Sequence, residues 1–171
     1  GDRFISAPGW LGMIVHDGGG LMRTVCLLAV GLVWLAWLTA EAQETAADSM
    51  TRDRAAYTGT WRVVTIEADG TEQDSRDRGI VVVNHEDGTW TVTVDGREVG
   101  SGTSRMDPDA TPPEIDLIVT AGDGAGSTLL GIYELEGDRR RLCFRGADGW
   151  RPRQFATTQG SKAVLVTFER E

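Results

Sequence analysis

From position 61 onward hydrophobic and polar residues alternate with a period close to two, and turn residues recur about every ten positions. That pattern predicts eight strands, at 61–67, 80–84, 89–94, 97–104, 114–120, 127–135, 140–145 and 163–170. The turns Ala68-Asp69-Gly70 and Glu86-Asp87-Gly88 separate strands, and Asp95-Gly96 is a two-residue turn whose residues tolerate positive φ. Gly100 and Gly102 weaken the fourth strand and predict a bulge or a sharp bend there. The polar stretch 71–78 reads as a loop, and the glycine-rich run 121–126 as a flexible link between the fifth and sixth strands. Helix is confined to 48–57, where Asp48 or Ser49 serves as the N-cap.

Eight sequential antiparallel strands with short turns close into an up-and-down barrel, which removes exposed sheet edges. The expected fold is therefore all-β, with a β-sandwich as the alternative. Closure pairs the last strand with the first in the opposite sense and sets Arg170 beside Trp61. A guanidinium over that indole contributes about 0.5–2 kcal/mol. Alternation assigns Trp90, Val92, Val94, Ile115, Leu117, Val119, Leu142, Phe144, Val164, Val166 and Phe168 to the interior. A barrel of this size is either filled by its own side chains or holds one small ligand, and both readings stand on the sequence.

The chain's beginning changes the picture of where the barrel works. Met22-Arg23-Thr24 followed by the apolar run 25–38 fits the cationic and hydrophobic parts of a secretory signal, and Ala40-Glu41-Ala42 supplies a cleavage pattern before Gln43. The run is shorter than the about 20 residues of a membrane span. Cys26 lies early in it, away from the position of a lipid-bearing cysteine. Residues 1–21 read as an upstream or tag segment, 22–42 as the signal peptide, 43–57 as a linker with a short helix, and 58–171 as one β domain. The expected location is periplasmic or extracellular, with no stable membrane span once the signal is removed.

The net charge is −9, from 17 basic and 26 acidic residues. Such a surface repels nucleic acid and anionic lipid and favours solubility. Cys143 is the one cysteine after residue 42, so the domain holds together by packing without an internal disulfide. Within Leu142-Cys143-Phe144 it reads as a small apolar strand residue.

Thr58-Gly59-Thr60-Trp61 opens the first strand with Gly-x-Trp, and this resembles the signature of lipocalin-like barrels. The resemblance implies structural roles for Gly59, Trp61 and Arg170, since lipocalins carry a similar Trp and Arg pairing at the closed end. The further Thr-Asp-Tyr motif of lipocalins is absent. Fatty-acid-binding barrels also begin with Gly-x-Trp, and many grip a carboxylate with Arg-x-Tyr on the final strand. Here that place reads Phe168-Glu169-Arg170, without the clamp. Over residues 57–169 the stretches Gly59-Thr60-Trp61-Arg62-Val63-Val64, Ile115-Asp116-Leu117, Leu130-Gly131-Ile132-Tyr133-Glu134-Leu135, Leu142-Cys143-Phe144 and Arg151-Pro152 with Phe155 resemble a planctomycete-type domain of similar length. That family has no established activity, and its members often follow a signal peptide.

Candidate chemistry is sparse. His85 is the one histidine after residue 42 and adjoins a turn. A hydrolase using Cys143 or carboxylates would need a cleft that brings His85 to Cys143. Zinc wants several His or Cys ligands, Asp107-Pro108-Asp109 lacks the glycine and distal glutamate of a calcium loop, and no helix follows the glycine run to hold a phosphate. No metal, cofactor or catalytic residue is expected. Trp150-Arg151-Pro152-Arg153-Gln154-Phe155 has two readings. In the first, Arg151 and Arg153 bind an anionic group beside the barrel mouth while Trp150 stacks on a ring. In the second, Arg151 pairs with a carboxylate and Phe155 plugs the barrel. The ligand-binding expectation thus names Trp90, Ile115, Phe144, Trp150, Arg151 and Arg153 for a small apolar ligand or an envelope component. The competing expectation is a structural or protein-interaction module with a filled barrel.

Overall fold

The computed structural model describes residues 46–146 and 149–171. The upstream segment, the signal peptide and the cleavage position expected from the sequence lie outside the described residues. Residues 45–171 form one compact unit. Among the described residues no helix is long and apolar enough to cross a membrane.

Helix α1, residues 46–57, leads into β1 (Gly59–Ala68). The remaining strands are β2 (Thr71–Asp74), β3 (Ile80–Asn84), β4 (Thr89–Val94), β5 (Arg97–Asp107), β6 (Glu114–Gly122), β7 (Thr128–Glu136), β8 (Arg139–Gly146) and β9 (Val164–Arg170). All neighbouring strands pair antiparallel, and β9 returns to β1 to close the barrel, with Trp61 opposite Arg170. The long β1 serves two partners along one edge: its first half pairs with β3 and its second with β2. β2 and β3 thus share one position around the barrel, broken by a 3-10 turn at Arg76–Arg78, and eight positions close the circle.

The stretch expected as a loop at 71–78 therefore contains a strand. Its sequence, Thr-Glu-Gln-Asp, is exposed throughout and carries no inward face to alternate with. Backbone pairing to Thr65–Ala68 alone makes it extended. Three bulges bend the sheet, one of them in β6, where Thr120 is skipped opposite β5. In β5 Val99 is skipped between Glu98 and Gly100, in the region where the glycines predicted a bend. In β1 Val64 is skipped opposite β9, so the buried, inward phase passes from Trp61 and Val63 to Ile66. An extra residue reverses which parity faces the core, because side chains alternate with a period of two.

One end of the barrel is closed by α1. Ser49 donates to Asp109 at 2.8 Å, Arg54 to the Ser104 hydroxyl at 2.8 Å, and the Tyr133 hydroxyl to Asp53 at 2.7 Å. The buried Tyr133 phenol is pushed well above the usual range by desolvation and by its bond to Asp53. Tyr57, 2 % exposed, tips from the end of α1 into the main core with Trp61, Val63, Ile115, Leu142 and Phe168. The expected pairing of Arg170 and Trp61 is present: the guanidinium carbon lies 4.2 Å from the indole centre.

A second cluster, Ile132, Cys143, Ala163 and Leu165, lies on the outer face of β7, β8 and β9, covered by Phe155 from the segment before β9. Cys143 is out of phase with Leu142 and Phe144, which line the interior. Phe155 is thus an outer cover and not a plug of the barrel.

Candidate ligand-binding cavity

Between the sheet walls and the floor formed by α1 lies a cavity of about 230 Å³. Its walls come from alternate positions of successive strands: Ile66, Ile80 and Val82, Trp90 and Val92, Leu117, Leu129, Leu142 and Phe144, Val166 and Phe168. Strand register places these at different heights. Ile80 faces Val94 and Phe144 faces Val164 toward the end away from α1. Asn84 lies opposite Gly59, and Arg140 opposite Phe168, at the α1 end.

Trp90 is held by an Nε1 hydrogen bond to the Thr103 carbonyl at 3.0 Å. Its ring lies against Gly102, where an added Cβ would come within 2.4 Å of Trp90 Cζ2 and 2.1 Å of the Ile118 carbonyl. The glycine read from sequence as a bend is therefore also the seat of an indole.

Arg140 is the unexpected member of the lining. It is 1 % exposed, in phase with Leu142 and Phe144 on β8, while its neighbours Arg139 and Arg141 face outward. Three rings surround its guanidinium carbon: Tyr57 at 4.3 Å, Trp61 at 4.6 Å and Phe168 at 4.2 Å. Ring faces replace part of its lost hydration. No carboxylate among the described residues pairs with it, and its Nε and Nη1 have no hydrogen-bond partner among them. Desolvation pushes its pKa down, Tyr57 pulls it up, and the nearby Arg170 lowers it further. Asn84, 5 % exposed, is a second polar group on the same wall, and its Nδ2 also lacks a partner among the described residues.

The residues expected from sequence separate into two groups. Trp90 and Phe144 line the cavity, and Ile115, 1 % exposed, packs in the core around it. Trp150, Arg151 and Arg153 do not line it. Trp150 is 84 % exposed, Arg153 is exposed, and Arg151 lies on the outside of β6. Arg151 Nη1 donates to the carbonyls of Ile115 and Gly131 at 3.1 and 2.7 Å, Nη2 to Asp116 at 2.7 Å, and Nε sits 2.9 Å from Glu114. This is the carboxylate pairing of the second reading, with the guanidinium tying the segment before β9 onto the barrel wall.

Arg140 and Asn84 escaped the sequence analysis for one reason. Arg140 is the centre of a run of three arginines that reads as a solvated strand end, and Asn84 ends a strand at a turn. Parity was the available signal: Arg140 shares the phase of Leu142 and Phe144, and Asn84 that of Ile80 and Val82.

Cys143 is fully buried, 3.9 Å from the Ala156 carbonyl, and burial raises its thiol pKa. His85 is exposed beyond β3. Among the described residues no group of three or more His, Cys, Asp or Glu side chains is placed to hold a metal ion. Compared with protein-family models, with curated proteins and with solved structures, the chain finds no match in any of the three.

Proposed function

We propose that this chain is an exported lipocalin-like domain that holds one small, largely apolar ligand inside its barrel. The observation that carries the reading is the cavity of about 230 Å³ lined by Trp90, Leu117, Phe144 and their neighbours. Burial of an apolar ligand there gains about 25 cal/mol for each Å² removed from water. The apolar run 25–38 behind Met22-Arg23-Thr24 supports export to the periplasm or cell exterior. The spread of planctomycete-type stretches from Gly59 to Phe155 supports membership of that family, and the Trp61 and Arg170 pair supports the lipocalin-like relation. Binding rather than catalysis is the reading, consistent with a thiol whose pKa is raised by burial.

A filled interaction barrel is the second reading, and the size of the cavity favours it. Drug-sized ligands occupy about 300–1,000 Å³, so this space suits only a small guest. Native mass spectra of the purified chain, recorded before and after organic extraction, decide between the two. A reproducible adduct lost on extraction supports binding. A bare mass, joined with no thermal shift across a panel of small apolar compounds, assigns the filled barrel.

A further inference from the structure

We infer that a cleft beside α1 binds a small primary amine with a compact apolar body, with Asp53 holding the ammonium and Pro112, Leu135 and Phe155 the body. The cleft lies between α1, the connection from β5 to β6, the end of β7 and the segment before β9. It shares no lining residue with the barrel cavity, so the inference stands whether or not the barrel is occupied.

The space is about 290 Å³, larger than the barrel cavity. Pro112, Pro113, Leu135 and Phe155 give it apolar walls. Asp53 and Glu134 are the charged residues on its lining, and no basic residue among the described ones joins them there. The Tyr133 hydroxyl fixes Asp53 by donating to Oδ2 at 2.7 Å. Burial and Asp53 itself push the Tyr133 pKa up, so the phenol stays a donor at neutral pH and keeps that oxygen engaged. The other oxygen, Oδ1, meets Arg52 Nε at 3.5 Å, from a side chain 74 % exposed. An ion pair so exposed contributes little. The Asp53 side chain is itself 20 % exposed, and a cation reaching it from an apolar cleft interacts more strongly than one in open water. Glu134 is also engaged on one oxygen, since both of its contacts with Arg141 fall on Oε2.

The chemistry of the head follows from the acceptor that is left. A guanidinium grips a carboxylate through both oxygens, and Tyr133 already holds one of them. An ammonium is a compact point charge that needs a single oxygen and brings its own N–H donors. The second carboxylate on the lining and the net charge of −9 both favour a cation. The body follows from the walls. Two proline rings, a leucine and a phenyl group offer apolar contact, and Arg141 stacks on Phe155 at 4.8 Å, which holds that ring in place. An apolar cavity of about 150 Å³ accommodates benzene, so 290 Å³ takes about ten non-hydrogen atoms. An arylalkylamine of that size fits both requirements.

The test compares phenethylamine with phenethyl alcohol at pH 7 by calorimetric titration of the full 171-residue chain. The expected result is the amine binding at least tenfold tighter than the alcohol, with the advantage shrinking as salt is raised. That ratio should fall to near one in Asp53→Asn, which keeps an acceptor for the Tyr133 hydroxyl. Equal affinity of the two probes, an unchanged ratio in Asp53→Asn, or binding of neither overturns the assignment, and the adduct mass that decides the barrel reading is untouched by any of these. Should Asp53→Asn fail to fold, the native chain still decides by nuclear Overhauser contacts of the bound amine. Contacts to Pro112 and Phe155 support the cleft, and contacts to Trp90 place the amine in the barrel and overturn it.

Discussion

The guanidinium of Arg170 fills the space in which a side chain at position 59 would begin. A Cβ added to Gly59, whose φ is 124°, would lie 2.6 Å from Arg170 Nη1. That nitrogen cannot swing aside freely, because it donates to the Thr58 carbonyl at 2.8 Å while its guanidinium lies over Trp61. The glycine, the tryptophan two residues on and the arginine at the other end of the domain are thus one steric unit. Gly59→Ala should destabilise the domain by about 2–4 kcal/mol, from the strained φ together with the displaced cation. Urea unfolding of Gly59→Ala, Arg170→Ala and the double variant separates the two contributions. The double variant should be about 0.5–2 kcal/mol more stable than the summed effects imply, and strict additivity would show that the two residues do not compete for space.

Gly102 is required by a different neighbour. An alanine there would press its Cβ against Trp90 and the Ile118 carbonyl, and only the ring could yield. Movement of the ring breaks its bond to Thr103 and intrudes on the cavity. Gly102→Ala should therefore cost about 1–3 kcal/mol and alter tryptophan emission. Gly100, on the same strand and without a positive φ, is the milder control, its added Cβ meeting only the Ala121 carbonyl at 3.3 Å. A Gly102→Ala protein with native stability and emission would show that the ring of Trp90 does not seat on this glycine.

How far these relationships were legible before the fold was known depends on what each residue leaves in the pattern. Alternation located the interior positions from Trp90 to Phe168, because each of those strands turns one apolar face to the barrel interior. It also placed Arg170 beside Trp61, since closure leaves no other arrangement for first and last strands. Thr71–Asp74 left no trace, because a strand without a buried face has no period. The bulge at Val64 was hidden for the opposite reason: Val63 and Val64 are both buried, so no polar residue marks the change of phase. At the site, Trp90 and Phe144 were readable as bulky inward residues. Trp150, Arg151 and Arg153 drew notice by composition, but a rich mixture of rings and cations does not say which side of a wall it lies on. Arg140 was concealed by having arginine on both sides.

The segment before β9 behaves as a strap whose clasp is Arg151. Arg151→Ala removes its bonds to two carbonyls and two carboxylates and should cost about 1–3 kcal/mol. Loosening should expose Cys143, which lies under Phe155 and Ala163. Alkylation by iodoacetamide at pH 8 is expected to be negligible in the native domain and at least tenfold faster in Arg151→Ala. Equal rates would show that the strap does not depend on this guanidinium.

Burial of the same thiol makes stability sensitive to alkali. Cys143 has a raised folded pKa because desolvation disfavours the thiolate. Below the unfolded value, about 8.5, the thiol is neutral in both states and contributes no slope. Above it the unfolded chain ionises first, so stability falls as pH rises, by at most about 1.4 kcal/mol for each pH unit until the folded value is reached. Between pH 8.5 and 10 the native domain should lose stability faster than Cys143→Ala. Parallel curves for the two proteins would show that the folded thiol ionises as readily as the unfolded one.

Arg140 is a cation buried among three rings with no paired carboxylate among the described residues. Removing its guanidinium from water costs several kcal/mol without a paired anion, and three ring contacts return about 0.5–2 kcal/mol each. These terms nearly cancel, whereas a methionine of similar length would bury apolar surface in the same space with no charge to desolvate. Arg140→Met is therefore expected to be as stable as the native domain or up to about 2 kcal/mol more stable. Arg170→Met, which abandons the carbonyls of Thr58 and Ala56, should instead be destabilised by about 1–3 kcal/mol. Guanidinium chloride unfolding of both variants distinguishes the roles of two arginines that lie over the same indole. A loss beyond about 2 kcal/mol in Arg140→Met would make it, like Arg170, part of the closed end of the barrel. Retained stability would show that the ring contacts of Arg140 do no more than offset its desolvation.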